Sequence, residues 1–304
     1  MQAERKPSGP AHPSKRATPS QREGAITAVN QGLYVVATPL GNAKDITLRA
    51  LGILAGASRL YAENTSETAK LLSLHGITRR IGSFREENAK AVIPGIVAAI
   101  ADGASVALVS DAGTPLVSDP GQNLVEAVIK AGLPVIPVPG PSAGIAALSA
   151  AGLPVLPALM LGFLPEKTSA RRTALEAVRD VSATLVIYEA PHRLAATLSD
   201  ALAVMGSRKA CVARELTKHF EEFRRGDLAE LAAHYADTPP RGEIVLLIGP
   251  PAQAQAPDEA LIDAALETAL ATMRVKDAAD AVAASLSVPR RLVYQRAIAL
   301  KKDA

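Results

Sequence analysis

From residue 33 onward, short apolar runs alternate with longer stretches whose apolar residues recur every three or four positions. The first kind reads as buried strand and the second as amphipathic helix. Residues 33–37 (Leu-Tyr-Val-Val-Ala) open the series as a strand, which stops at Thr38-Pro39-Leu40-Gly41-Asn42, a segment with turn chemistry. Asp45 stands where a helix cap belongs, with Leu48, Leu51 and Leu54 on the inner face of the helix behind it. A second strand, residues 59–62, empties into Glu63-Asn64-Thr65-Ser66, and its helix closes at His75-Gly76. A weaker strand surrounds Ile81 and is followed by a helix ending near Ala101. The strand at 106–109 breaks into Ser110-Asp111-Ala112-Gly113-Thr114-Pro115, continues through Leu116-Val117-Ser118, and reaches Asp119-Pro120-Gly121 before a helix to Lys130. A short strand at 135–138 ends in Pro139-Gly140-Pro141-Ser142, and a helix fills residues 143–150. This alternation predicts a mostly parallel sheet covered on both faces.

The second half changes character. Strands are predicted at 159–164, 184–188, 210–213, 220–226 and 243–248, several with no helix between them. That pattern predicts a mixed sheet and a second α/β domain. Arg171 and Arg172 fall in the first turns of the helix after Pro165-Glu166-Lys167, and the strand at 184–188 ends in Glu189-Ala190-Pro191-His192-Arg193. A Pro-rich linker follows, and residues 258–304 form two or three short helices. Ala278, Ala281, Val282, Val288, Leu292 and Val293 are spaced as in a small helix-turn-helix. A packing appendage or dimer element is as good a reading of it as an RNA contact. The expected organisation is a basic disordered tail at 1–29, α/β domains at 30–152 and 153–250, and the helical tail at 258–304.

Composition narrows the picture. Apolar residues make up 48% of the 304, yet aromatics are 3% and Trp is absent, so the core is aliphatic. The single cysteine, Cys211, excludes an intrachain disulfide framework, fits the reducing cytoplasm, and reads as a small core residue. No apolar run is long enough to cross a bilayer, and no hydrophobic signal core opens the chain. The net charge of +3 lies wholly in residues 1–29, which hold five of the 33 Lys/Arg and two of the 30 acids. The body is therefore balanced, and any nucleic-acid site on it is a local patch.

P-loop and dinucleotide fingerprints, metal-spaced Cys or His clusters and a Ser-centred nucleophile elbow are all missing. Polar loops instead collect at predicted strand ends, where an open parallel sheet binds its ligands. Together the segments LYVVATPLGNAKDITLRA (33–50), SDAGTPLVSDPG (110–121), PVPGPSA (137–143), GFLP (162–165), YEAPHRL (188–194), ARELTK (213–218) and RGEIVLLI (241–248) closely resemble the bacterial small-subunit rRNA cytidine 2′-O-ribose methyltransferases, within the tetrapyrrole-methylase-like superfamily. The resemblance implies S-adenosylmethionine as cofactor, folded in a cleft between two α/β domains, and a homodimer acting on a decoding-region cytidine of 16S rRNA or the 30S subunit, with no membrane and no metal. By motif, the cofactor contacts it implies are Pro39, Leu40, Gly41, Ser110, Asp111, Ala112, Gly113, Thr114, Pro115, Val117, Ser142 and Ala143, then Tyr188, Ala213 and Ile244. Two segments depart from the family. Asn64-Thr65-Ser66 stands where it usually has Asp-Thr-Arg, and Phe84-Arg85-Glu86-Glu87-Asn88 replaces its His- and Asn-containing stretch.

A ribose hydroxyl is a weak nucleophile, so a general base or a nearby cation is expected. Glu63, Glu189 and His192 are the candidate bases, with Arg193 beside them; Lys167, Arg171, Arg172 and Arg214 are candidate phosphate contacts. Each has a plainer role open to it: Glu63 as a helix cap, Glu189 with Arg193 as an ion pair, His192 as a surface residue. A tetrapyrrole C-methyltransferase and a non-catalytic RNA- or cofactor-binding protein remain the rival functions.

Overall fold

The computed structural model describes residues 29–251, 259–286 and 288–303. The chain divides into two compact units, one ending at Pro141 and the other beginning at Ser142. In the first unit, β1 (Gly32–Val36), β2 (Arg59–Ala62), β3 (Gly82–Ser83), β4 (Ser105–Val109) and β5 (Val135–Val138) form one sheet. Its strands are all parallel in the order β3-β2-β4-β1-β5. Crossovers run through α1 (Leu48–Gly56), α2 (Thr65–Leu74), α3 (Ala89–Ala101) and α4 (Gln122–Lys130).

Period-two alternation builds a core on each face of this sheet. Tyr34 and Val36 of β1 and Ala107 and Val109 of β4 join Leu54, Leu60 and Leu72 on one face. Leu33, Val106 and Leu108 point the other way, to Phe84, Ile96, Ile100 and Leu124. The cap of α1 is not Asp45. That residue lies in a short 3-10 turn capped by Asn42, and the helix starts later, on Thr47, whose hydroxyl accepts the Ala50 N–H at 3.0 Å. Gly76 closes α2 at φ +69°, as the sequence led one to expect.

The second unit opens with α5 (Ala143–Ala150). Its sheet contains β6 (Ala158–Phe163), β7 (Thr184–Glu189), β8 (Lys209–Arg214), β9 (Glu222–Asp227) and β10 (Ile244–Ile248), in the order β6-β7-β10-β8-β9. Only the β6/β7 pair is parallel, so the sheet is mixed as anticipated. Helices α6 (Thr168–Glu176), α7 (Leu194–Met205) and α8 (Leu228–Asp237) connect the strands and contribute Leu175, Leu198 and Leu231 to the core. Cys211 is fully buried in β8. Beyond them α9 (Glu259–Leu270), α10 (Val275–Leu286) and α11 (Arg290–Asp303) pack around a core of their own, including Ile262, Leu266, Val282 and Val293.

Candidate cofactor and active site

β2, β4, β1 and β5 are neighbours, so the loops leaving their carboxyl ends emerge side by side. Backbone pairing knits three of these loops together. The Thr38 N–H donates to the Gly113 carbonyl at 2.8 Å, and the Gly113 N–H returns a bond to Thr38 at 3.0 Å. The Thr38 hydroxyl reaches the Ser110 carbonyl at 3.2 Å, and that of Thr114 reaches Pro141 at 2.9 Å. Gly113 sits at φ +76°, and a Cβ there would lie 3.2 Å from the Leu40 side chain. At Gly140 a Cβ would come within 2.9 Å of the Ala37 Cβ. Both positions need glycine for the loops to approach this closely. Leu116 and Ser118 hold φ of +72° and +74°, a region that L-residues with side chains seldom enter.

Beside this surface lies a cavity of about 550 Å³ in the first unit, lined by Glu63, Asn64, Arg85, Asp111, Ser118 and Asp119 among others. Its walls are fixed by main-chain contacts. The Asn64 N–H donates to the Asp111 carboxylate at 3.0 Å, while the Asn64 side chain caps α2. Arg85 Nε donates to the Glu63 carbonyl at 3.0 Å, and Asn88 braces the turn by accepting from Arg85 N and donating to Ser83. Burial raises the Asp119 carboxyl to about 6; the Ser110 hydroxyl works against that and the Asp111 charge adds to it. Glu63 is also pushed above the usual carboxylate range, by burial first and then by repulsion from Asp111 and Asp119.

In the second unit, Tyr188 and Ala213 both stand opposite Val245 across the ladder, and Ile244 is next along β10. Tyr188 stacks obliquely on Phe163 with centroids 5.8 Å apart. At Gly144, early in α5, a Cβ would overlap the Met160 side chain and lie 3.0 Å from the Tyr188 hydroxyl. Glu189 is buried, and it accepts from the Thr197 hydroxyl at 2.5 Å and from Ala190 N at 2.9 Å. Arg193 Nε lies 3.1 Å from the same carboxylate, and its Nη2 donates to the Leu164 carbonyl. Arg171 is 3% exposed and clamps Asp200 at 2.6–2.7 Å; Arg172 takes the other oxygen of Asp200 at 2.7 Å. Arg214 binds Glu222 at 2.9 Å, and Lys218 bridges Glu215 and Glu243, each at 3.0 Å.

Residues 32–232 match the family of tetrapyrrole (corrin/porphyrin) methylases, and residues 255–301 match the RsmI C-terminal HTH domain. The ribosomal RNA small subunit methyltransferase I of Mesorhizobium japonicum is 48% identical over 92% of this chain and 96% of its own length. The chain belongs to the ribosomal RNA small subunit methyltransferase I family, within the tetrapyrrole methylases. The corresponding protein of Erythrobacter litoralis is 45% identical over 92% of this chain and 99% of its own. Among solved structures, a diphthine synthase shares the fold with a TM-score of 0.56 at 14% identity, covering 71% of this chain and 89% of that one. A Thermus thermophilus uroporphyrin-III C-methyltransferase does so at 0.53 and 22%, covering 72% and 94%.

As a member of this family, the chain brings together the loops at Pro39, Leu40 and Gly41 and at Ser110 through Val117, through Thr38 and Pro141. Ser142 stands at the N-cap of α5 and Ala143 opens that helix. Three expectations need correction. Arg171 is no free phosphate contact, because its guanidinium neutralises Asp200 inside the core. Glu189 is no free base, because both its oxygens are engaged and it is sealed from solvent. Arg193 is occupied in holding that carboxylate and the Leu164 carbonyl. His192 is exposed on the turn Pro191–Arg193, Lys167 is exposed ahead of α6, and Glu63 remains in the cavity. Sequence reasoning placed Asp119 in the polar loop after the 106–109 strand and Arg85 in a segment that departs from the family, and gave neither a catalytic role. Asp119-Pro120-Gly121 lay inside the quoted loop, but nothing local shows that its carboxyl turns into the same cavity as Glu63.

Proposed function

We propose that this protein transfers a methyl group from S-adenosylmethionine to the ribose 2′-hydroxyl of a decoding-region cytidine in small-subunit rRNA. The observation that carries the reading is the Thr38–Gly113 bridge, which fuses the loops after β1 and β4 into one small-residue surface at the ligand-binding edge of the sheet. Gly113 and Gly140 let these loops close on one another with no side chain between them, and a small-residue surface with neutral hydroxyls suits an adenosyl ligand. Close relatives named for rRNA methylation support the substrate class.

When bound, the cofactor supplies a methyl group already activated on a sulfonium. The chain's part is then to bind and orient it. Pro39 to Gly41 and Ser110 to Val117 do so on the first unit; Ser142, Ala143, Tyr188, Ala213 and Ile244 are the contacts assigned on the second. Fixed orientation of this kind is worth roughly 7–11 kcal/mol of barrier. Glu63 and Asp119 are the carboxylates that accept the hydroxyl proton, and Arg85 offers the cation next to them. Lys167 and Arg172, exposed at the start of α6, take phosphates.

A homodimer fits the second unit's exposed apolar side chains at Leu156 (82%) and Phe163 (55%), along the open edge strand β6. Among the described residues no helix is long and apolar enough to cross a membrane, and no group of three or more His, Cys, Asp or Glu is arranged to hold a metal. Action in the cytoplasm, where the rRNA is, follows from the substrate. The test is transfer of labelled methyl from S-adenosylmethionine to immature small subunits or their naked rRNA, with the modified ribose mapped. A single 2′-O-methylcytidine is expected. Label appearing only on a tetrapyrrole precursor, or cofactor binding without turnover, overturns the reading.

A further inference from the structure

The three C-terminal helices carry their charges on separate elements. α9 has Glu259, Asp263 and Glu267 and no Lys or Arg, whereas α11 has Arg290, Arg291, Arg296, Lys301 and Lys302 with one acid, Asp303. Ion pairs consume part of the basic charge. Arg296, on the inner side of α11, bridges Glu259 and Asp263 at 2.5 Å each, and these contacts hold the bundle shut. Arg290 is tied to Asp280 of α10 and lies over the Tyr294 ring at 5.7 Å. Arg291 and Lys301 have no ion pair among the described residues and are both exposed.

Helical spacing (i, i+3, i+7, i+10) sets these two at the ends of one stripe with Tyr294 and Ile298, bordering the face that carries the fully buried Val293 and Ala297. Between them the same side exposes Tyr294 (37%) and Ile298 (38%), with Gln295 alongside. An aromatic and a branched aliphatic side chain between these two cations give this face apolar contact area as well as charge. Uncompensated cations flanking an aromatic ring match a nucleic-acid backbone, where phosphates take the charge and sugars or bases take the apolar contact. An acidic protein surface would meet the cations equally well but would not be read by salt-dependent RNA affinity.

We propose that the outer face of α11, centred on Arg291, Tyr294 and Lys301, docks on the phosphate backbone of the rRNA substrate. The proposal rests on the rRNA reading above and assigns these residues to substrate positioning, away from the methyl transfer itself. The experiment compares the full-length parent with Arg291→Glu/Lys301→Glu and with Tyr294→Ala. Binding of transcribed small-subunit rRNA is measured across a salt series, alongside steady-state methyl transfer. Loss of two phosphate contacts is expected to flatten the slope of log affinity against log salt by about 1.5–2 and to weaken binding about tenfold at low salt. KM for rRNA rises in step, while kcat at saturating rRNA and S-adenosylmethionine affinity hold. Tyr294→Ala lowers affinity with the salt slope unchanged.

A charge-neutral pair, Arg291→Gln/Lys301→Gln, gives the same direction with a smaller effect, and an unchanged melting temperature shows that the bundle is intact. Parental affinity and slope in the charge-reversed protein overturn the proposal. So does loss of self-association with rRNA binding intact, which makes this face a protein contact. If the parent methylates no rRNA, the functional reading fails, and the binding series still decides the role of α11 independently.

Discussion

Single residues set the shape of the loop surface at the carboxyl edge of the first sheet. Gly113→Ala places a Cβ at φ +76° and presses it toward Leu40. The left-handed backbone alone makes that unfavourable by about 1–2 kcal/mol. The expected result is a modest drop in urea stability with a much larger, at least tenfold, loss of S-adenosylmethionine affinity by calorimetry. Asp119 makes a pH-dependent prediction. Its carboxyl titrates near 6 in the folded protein against 3.8 ordinarily, so between these values the native state holds more protons than the unfolded one. Stability therefore falls as pH rises from about 4 to 6 and loses nothing further from this group above that. A full effect of this size would be about 3 kcal/mol, and solvent screening at a half-exposed site reduces it to about 1–2 kcal/mol. Asp119→Asn is expected to be more stable than the parent at pH 7.5 and equal to it below pH 4, in parallel denaturation series. Its methyl transfer at pH 7.5 is expected to fall by about 10²-fold or more if Asp119 accepts the hydroxyl proton.

Among the elements, the α6–α7 contact divides two adjacent arginines. Arg171 and Arg172 look interchangeable in the sequence, yet one is sealed against Asp200 and the other is half-exposed. Arg171→Ala leaves the buried Asp200 carboxylate with only the half-exposed Arg172 as partner and is expected to lose about 2–4 kcal/mol. Arg172→Ala loses under about 1 kcal/mol. Chemical denaturation of the two variants separates them. This is where sequence reading ran out: the partner, Asp200, is 29 positions away and lies on another helix, so no local spacing betrays the pair. The elements themselves were more legible. In the first unit four of the five strands were visible as apolar runs, the weak strand expected around Ile81 proved to be the two residues Gly82–Ser83, and helix alternation dictated the parallel sheet. In the second, the strands were visible but their order was not, because β10, last in the chain, inserts between β7 and β8. β6 stays at the edge, and Phe163→Glu on it is expected to yield a monomer by sedimentation with its fold intact.

For the whole molecule, charge distribution matters more than net charge. The +3 lies in residues 1–29, and the rest of the chain is balanced. Deleting those 29 residues is expected to lower the affinity for arbitrary RNA and its salt dependence while leaving the modified nucleotide the same. Mapping methylated riboses with the truncated protein checks both parts. Of the candidate site, the loop motifs were legible because small residues and prolines at strand ends are a local signal. The cavity was not, since Glu63, Arg85 and Asp119 meet only once β2, β3 and β4 are side by side.

Leu116 and Ser118 carry one more consequence. Two side-chain-bearing residues in left-handed backbone, three positions and five positions past Gly113, keep their loop bent in the absence of any guest. Such a loop has little left to rearrange on ligand arrival, so association loses little entropy and the binding rate is set by encounter. Glycine at either position would relax the bend, and the same ligand would then arrive to a floppier host, with a slower productive capture visible in stopped-flow.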